Sequence, residues 1–246
     1  MGSTTKTLVA SDYVHLHNHT HHSLLDGLTK VDGLVTRVKE LGMKACAITD
    51  HGTMSGAIEF YKAAQKQGIT PIIGIEAYVA ARSRYDRDPS KDKARYHITL
   101  LAMNTVGYQN LMLLSTKANL EGMYYKPRID RELLQAHGEG IIVLSGCASG
   151  ELGESLRVDN YAEATRIASW YKEVFGDRYY LELQDHGHPN HSHAWDVQVK
   201  INGYLEKLSK ELDIACVVTS DGHYLSHDDQ DAHEIQAHRA VGAGRP

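Results

Sequence analysis

Cysteine is scarce in this sequence of 246 residues, which has only Cys46, Cys147 and Cys216 and no CxxC spacing. This scarcity argues against a disulfide framework and against a ribbon-type zinc site. The chain also lacks an apolar run long enough to span a bilayer, and its first eleven residues lack the pattern of a secretory signal. We therefore expect a cytoplasmic protein without a membrane partner, whose thiols are reduced or serve as single metal ligands.

Positive charge is also in short supply. The chain has 26 Lys and Arg residues against 31 Asp and Glu residues, which gives a formal net charge of −5. A protein that holds nucleic acid through its own charge normally carries a basic patch or stripe. Any nucleic-acid partner is therefore expected to be bound locally, through metal ions.

Histidine, by contrast, is abundant, with 16 residues that are concentrated in two clusters. The cluster at 15–22 contains five histidines, and the cluster at 186–193 contains four. Histidine in this quantity indicates metal chemistry, although the second cluster also fits a polar loop. His137, His227, His233 and His238 lie on predicted helices or at their ends, and we expect them to be solvated.

The fold class follows from short β-rich runs that alternate with amphipathic helices, which is typical of parallel βαβ units. The predicted strands are 13–19, 44–51, 70–80, 96–103, 140–147, 179–184 and 215–221. Thr29 and Asp32 resemble a capping box that would open the first helix, which Gly42 would end. A closed or nearly closed α/β barrel of seven units is our first prediction, and a doubly wound open sheet is the alternative.

Metal-ligand side chains fall near one end of these predicted strands. His17 and His19 are two residues apart, so in an extended strand both side chains point the same way and can bind one ion. Asp221 and His223 repeat this spacing near the other end of the chain. The remaining candidates are His51 and Cys147, which end the second and fifth strands, Glu76, which lies within the third, and His97, which begins the fourth. Because the strand ends of an α/β barrel meet at one mouth, we expect a shared site for Zn²⁺, Mn²⁺ or Fe²⁺.

Cys46 and Cys216 lie inside apolar strand runs, where a cysteine commonly packs as a small hydrophobic residue. Cys147 lies between Gly146 and Ala148 at a strand end, where a metal could reach a thiolate.

Eight motifs support a family resemblance. They are HNHT (17–20), SLLDG (23–27), ITDHG (48–52), GIEAY (74–78), YHITLLA (96–102), LSGCASGEL (144–152), YLELQDHG (180–187) and TSDGHYL (219–225). In this order they resemble the PHP family, named for polymerases and histidinol phosphatases. More narrowly, they are similar to the PHP domain at the N-terminus of bacterial DNA polymerase III alpha subunits. The resemblance runs from about residue 13 to about residue 240 and predicts a single domain over 1–246, with a flexible segment over 1–12.

This resemblance implies a distorted seven-stranded (βα)7 TIM-like barrel, the PHP fold, with up to three divalent ions in its cleft. The matching ligand positions are His17, His19, Asp26, His51, Glu76, His97, Cys147, Asp221 and His223. It implies that one ion is held by His17, His19, Glu76 and Asp221. Glu76 would bridge to a second ion held by His97 and Cys147, and Asp26, His51 and His223 would hold the third. Asp26 is known only from the resemblance, because it lies in a predicted loop.

The implied activity is metal-dependent phosphoester hydrolysis by a hydroxide that bridges the ions, without a protein nucleophile. Motif similarity favours a 3′–5′ exonuclease of the proofreading type, which acts on a DNA 3′ end beside other polymerase domains and subunits. A small-molecule phosphatase of the histidinol phosphatase type and a non-catalytic, metal-stabilised structural domain remain alternatives. No palm, fingers or thumb sequence follows the last motif, so we do not expect DNA synthesis from this chain.

The sequence departs from its polymerase relatives at two positions. His22 stands where an aromatic residue commonly precedes SLLDG, and Gly222 replaces a bulkier residue in the last motif. We expect His22 and His186 either to contact the substrate or to support the metal ligands from behind.

Overall fold

A computed structural model describes residues 7–186 and 192–242. The helices are α1 (Val31–Glu40), α2 (Ala57–Gln67), α3 (Thr105–Leu120), α4 (Arg131–Ala136), α5 (Glu151–Arg157), α6 (Tyr161–Phe175), α7 (Ser192–Leu212) and α8 (Gln230–Gly242). The strands are β1 (Ala45–Ile48), β2 (Thr70–Ala80), β3 (Arg95–Ala102), β4 (Met123–Tyr124), β5 (Lys126–Ile129), β6 (Ile141–Leu144), β7 (Tyr179–Gln184) and β8 (Cys216–Thr219). Single 3₁₀ turns lie at Ala10–Asp12, Gly176–Arg178 and His227–Asp229. His188, His191, the side chains of His193 and His238, and residues 1–6 lie outside the described residues.

The strands form one curled sheet in the order β4-β5-β2-β3-β6-β7-β8, and β1 pairs with β2. The segment 15–20 connects the two edges of this curl. On one side the Ala47 amide donates to the His15 carbonyl at 2.7 Å, and on the other the His19 amide donates to the Gly222 carbonyl at 2.8 Å. The prediction of an α/β fold with a distorted barrel-like sheet is confirmed, and the open doubly wound alternative is not adopted.

The predicted first strand is wrong in detail, because residues 13–19 make isolated bridges instead of a continuous ladder. The bridges join His15 to Cys46 and Asn18 to Gly222, so no continuous run of paired residues forms on either side. Side-chain hydrogen bonds take the place of ladder bonds: the Asn18 amide group donates to the Ala47 carbonyl at 3.0 Å, and the Asn18 backbone N–H donates to the Thr49 hydroxyl at 3.0 Å. Such local side-chain bonds compete with regular strand pairing.

The sheet is not purely parallel, which corrects the expectation of parallel units throughout. β3 runs antiparallel to both β2 and β6. The segment 81–94 between β2 and β3 contains no crossover helix, so the chain returns in the opposite direction. As a result, the first residues of β3 lie at the same end of the sheet as the last residues of β2, and His97 pairs with Tyr78.

The first helix begins differently from the prediction. α1 starts at Val31 after Lys30, and Thr29 is buried and bridged to Thr20, so it serves the backbone pairing and not a capping box. Gly42 follows the helix with a left-handed φ of +74°, as glycine does at helix ends. Val31, Leu34, Val35 and Val38 form the buried face.

Apolar clusters join the sheet to its helices, a further apolar cluster of Ala47, Leu101 and Leu144 joins three of the strands to one another, and a group of polar residues is also buried. One core cluster joins β2, β3, β6 and β7 to the helices α3 to α7, and a second joins α1, α2 and β1. Cys46 belongs to the second cluster, has no exposed surface, and has a pKa raised by burial to about 12, in agreement with a packing role. His17, Thr99 and Glu182 are buried polar residues at the centre. Within the described ranges, every helix is too short or too polar to cross a bilayer.

Candidate metal centre

The nine candidate ligands form one connected cluster at the mouth of the curled sheet. Contacts of 3.5 Å or less between their donor atoms link every member to at least one other. They come from the segment 15–20, the following loop, the interior of β2, the start of β3, and the residues that follow β1, β6 and β8. Because neighbouring strands end at the same level, residues separated by up to 206 positions, from His17 to His223, become neighbours.

The tightest group consists of His17, His19 and Asp221. His17 Nε2, His19 Nε2 and Asp221 Oδ1 form a triangle whose three sides are each 3.2 Å. Glu76 lies above it, with Oε1 at 3.5 Å from His17 Nε2 and Oε2 at 3.5 Å from His19 Nε2. A tetrahedral ion with bonds of about 2.0–2.2 Å requires ligand atoms about 3.3–3.6 Å apart. The spacing of His17, His19 and Asp221 is therefore close to that of three ligands of one tetrahedral ion.

Glu76 is the central carboxylate of the cluster. It is fully buried, and besides His17 and His19 it contacts His97 Nδ1 with Oε1 at 3.1 Å and His51 Nδ1 with Oε2 at 2.5 Å. Burial would raise the pKa of Glu76, but the surrounding histidines, led by His97, hold it well below its usual value. The Glu76 carboxylate thus faces the imidazoles of His17 and His19 in one group and those of His51 and His97 in another, as a ligand shared by two ions would.

A further group surrounds Asp26 in the loop that follows His19. Asp26 Oδ2 lies 2.7 Å from His51 Nε2 and 3.2 Å from His223 Nε2. The His19 ring packs against both the His51 ring and the His223 ring, with a centroid distance of 4.2 Å to each. His51 contacts Asp26 with one ring nitrogen and Glu76 with the other, so it joins the two groups.

Cys147 is at the periphery of the cluster. Its Sγ lies 3.5 Å from His97 Nδ1 and accepts a hydrogen bond from the Ser149 amide at 3.4 Å. Burial, followed by the charges of Glu76 and Asp221, raises the pKa of this thiol well above its ordinary value. A thiolate at this position therefore requires a cation beside it.

The charges of the site are strongly interdependent. Burial would lower the pKa of His17, but nearby carboxylates, of which Asp221 contributes most, raise it well above its usual value. Burial would likewise lower the pKa of His51, but the charge of Glu76 and the contact with Asp26 raise it to about 10. In His19 burial prevails and lowers the pKa to about 4. Without metal, protonated imidazoles balance the negative charge of the carboxylates. Divalent ions can replace these protons and supply the same positive charge.

Unpartnered atoms test whether metal ions fit this cluster. In the described part of the chain, the buried side-chain atoms without a hydrogen-bond partner include His51 Nδ1, Glu76 Oε2 and Asp221 Oδ1. His51 Nδ1 and Glu76 Oε2 face each other without hydrogen-bond alignment. Native proteins rarely leave buried polar atoms unpaired. Imidazole nitrogens and carboxylate oxygens are ligands for borderline divalent ions, so the residues present fit such ions.

Two buried carboxylates that the sequence reasoning missed hold the histidines in place. Glu182 Oε1 lies 2.6 Å from His17 Nδ1 and accepts from the Thr219 hydroxyl at 2.6 Å. Asp50 Oδ1 accepts from the Ser23 hydroxyl at 2.8 Å, and that hydroxyl lies 3.0 Å from His19 Nδ1. Carboxylates behind metal-binding histidines fix the orientation of the ring. Glu182 and Gln184 are two residues apart on one predicted strand, so their side chains share one face of it. This spacing was a sequence signal for Glu182.

The remaining candidates lie outside the cluster. His22 Nε2 lies 3.0 Å from Glu59 Oε2 on α2. His186 is exposed, with Nε2 at 3.1 Å from Gln184 Oε1, and it lines a cavity of about 640 Å³ that also reaches Cys147, Asp221 and His223. His233 lines the same cavity, half-buried at 5.5 Å from the His223 ring, so the expectation that it is solvated was wrong.

Comparison with known proteins identifies the family. A family model for the PHP domain matches residues 15–186, which include seven of the nine clustered ligands. The chain belongs to the PHP family. This PHP chain is also 44% identical over 239 residues to a DNA polymerase III subunit alpha of Thermus aquaticus, across 96% of the chain and 18% of the relative. It is 46% identical over 225 residues to a DNA polymerase III subunit alpha of Treponema pallidum, across 91% of the chain and 19% of that relative.

The PHP chain thus spans about a fifth of the length of these curated relatives. Among solved structures, an amidohydrolase from Chromobacterium violaceum matches with a TM-score of 0.50 and 14% identity, over 91% of this chain and 96% of that one. At that identity the match supports the fold alone. The family match and the curated relatives together show that the chain is a PHP domain homologous to the N-terminal region of DNA polymerase III alpha subunits.

Proposed function

We propose that this PHP domain, a single unit over residues 1–246, hydrolyses phosphoesters with divalent ions bound in its cleft. We further propose that its substrate is a DNA 3′ end, on which it acts as a 3′–5′ exonuclease of a DNA polymerase III alpha subunit. The observation that carries the first step is the tetrahedral spacing of His17, His19 and Asp221, with Glu76 shared with the neighbouring group. The similarity to polymerase alpha subunits supports the second step.

The proposed ligand assignment follows the three groups. His17, His19, Glu76 and Asp221 would hold one ion, Glu76, His97 and Cys147 a second, and Asp26, His51 and His223 a third. The ions would be Zn²⁺, Mn²⁺ or Fe²⁺, because imidazole, carboxylate and thiolate donors together favour borderline ions over Mg²⁺.

The chain's own residues would prepare the site for hydrolysis. When bound, the ions would lower the pKa of a water molecule and neutralise the charge that develops on the phosphoester. Glu76 sets the separation of the groups that it joins, and Glu182 and Asp50 hold His17 and His19 in fixed ring orientations. A serine or cysteine nucleophile is not required.

The substrate would enter through the cavity beside Cys147 and His223. Its wall includes His186, His233 and Gln198, whose polar groups can contact a phosphate or a base. With a net charge of −5, the chain would depend on the ions, and on other polymerase domains and subunits in the cytoplasm, for its hold on DNA.

The test is release of nucleotides from 3′-labelled single-stranded DNA in the presence of Mn²⁺ or Zn²⁺. We expect release by the unmodified chain and loss of release in Glu76→Ala. Glu173→Ala, which removes an exposed carboxylate on α6, is the matched control and should remain active.

The alternatives predict different results in the same assay. Hydrolysis of a small phosphomonoester without release from DNA would favour a phosphatase of the histidinol phosphatase type. Metal binding that raises the thermal stability of the chain, with turnover of neither substrate, would favour a structural domain.

A further inference from the structure

We propose that His21, His22 and Glu59 form a separate binding site for one borderline divalent ion, such as Zn²⁺ or Ni²⁺, outside the cleft. This site contains none of the nine candidate ligands described above. It does not depend on the proposed hydrolytic activity.

The donor atoms of the three residues are already close together. One ligand atom from each lies within 4.8 Å of the other two. His22 Nε2 lies 3.0 Å from Glu59 Oε2, and the rings of His21 and His22 have centroids 4.3 Å apart at an angle of 36°. Two imidazoles and one carboxylate form a donor set that zinc uses with a fourth position open to water. Only small side-chain movements are needed to place all three around one ion.

The local backbone accounts for the position of His22. The His22 amide donates to the Thr20 hydroxyl at 3.2 Å, and that hydroxyl donates to the Asp50 carboxylate at 2.9 Å. The His22 ring lies over Gly56, just before α2, where a Cβ would come within 2.8 Å of the ring. Because Gly56 has no side chain, the His22 ring has room to lie beside Glu59 in the first turn of α2.

A simple ion pair does not account for this arrangement. The side chains of His22 and Glu59 are 23% and 49% exposed, and exposed pairs of this kind contribute little to stability. His21, which a pair would not need, packs against the His22 ring. A third donor at this distance is what a metal site requires.

The site would also link the mouth of the barrel to α2. His21 and His22 begin the loop that carries Asp26, whereas Glu59 belongs to α2. An ion held by all three would fix that loop against the helix. Zn²⁺ binding at this site is therefore expected to stabilise the native state beyond the effect of the cleft ions, because only the native state brings the three donors together.

The test counts bound zinc. We expect His22→Ala to bind one Zn²⁺ fewer than the unmodified chain in calorimetric titration and in elemental analysis after dialysis at micromolar zinc. Loss of residues that merely support a ligand weakens metal binding about 10–100-fold, so loss of a ligand should weaken this site at least about tenfold. Glu59→Gln should weaken the same site. His137→Ala, which removes an imidazole next to α4, is the matched control and should leave the count unchanged.

A second measurement identifies the ligands directly. On saturation with Zn²⁺, the ring ¹⁵N signals of His21 and His22 should shift in the Glu76→Ala chain, where the cleft is impaired. An unchanged zinc count in a natively folded His22→Ala chain, unchanged ring signals, or saturation only above millimolar zinc would overturn the proposal. Loss of the cleft ions in Glu76→Ala with this ion retained would separate the two sites.

Discussion

Replacement of the buried carboxylate of Glu182 is the sharpest test of how the metal centre is built. Glu182 does not face the predicted ion. It contacts His17 Nδ1 at 2.6 Å, and the His17 Nε2 atom on the other side of the ring belongs to the tetrahedral group. Both side chains are fully buried, so the orientation of the His17 ring depends on this contact. We therefore expect Glu182→Gln to impair metal binding without removing a ligand.

The size of the effect follows from the contacts that would be lost. Besides His17, the Glu182 carboxylate accepts from the hydroxyls of Thr219 at 2.6 Å and Thr99 at 3.3 Å and from the Gly146 amide at 3.1 Å. A glutamine has one acceptor oxygen, and its NH₂ group would face one or more of these donors. Losses of such supporting groups reduce metal affinity by about 10–100-fold, which corresponds to about 1.4–2.8 kcal/mol.

The assay is competition for Zn²⁺ or Mn²⁺ against a chelator of known affinity. We expect one ion to bind 10–100-fold more weakly in Glu182→Gln, whereas Glu173→Gln on the exposed face of α6 should bind as the unmodified chain does. Circular dichroism checks that the variant is folded. Unchanged affinity for every ion in a folded Glu182→Gln protein would refute the view that this carboxylate positions His17.

Two further predictions concern pH and metal preference. The pKa of His51 is raised from 6.5 to about 10 in the folded chain, so its contribution to stability is complete below pH 6.5 and is lost as pH rises towards 10. The melting temperature of the metal-free chain should therefore fall over that pH range, and the melting temperature of the zinc-loaded chain should fall less. Equal dependence of the two melting temperatures on pH would contradict this. Cys147→Ser replaces a soft ligand 3.5 Å from His97 Nδ1 by a hard one, so chelator competition should show a larger loss of affinity for Zn²⁺ than for Mn²⁺. Equal losses would argue against thiolate ligation.

Sequence patterns predicted the barrel class but not the path of every strand. The apolar runs at β1, β2 and β6 carry their own signal, because buried strands of an α/β sheet are rich in hydrophobic residues. The reversal at β3 has no such signal, since a strand pattern is the same in both directions. The reversal explains why His97 stands at the start of its strand whereas Cys147 follows the end of β6.

The amino-acid sequence by itself determined which residues could act as ligands, since the spacing of His17 with His19 and of Asp221 with His223 is a local property of the chain. Only the tertiary structure decided which of them meet. It brought Asp26 from a loop to His51 and His223, and Glu182 from β7 behind His17. It also made His233 part of the cavity wall. These contacts depend on strand direction, on the curl of the sheet and on loop paths, which arise from packing among distant residues and are therefore absent from any local pattern.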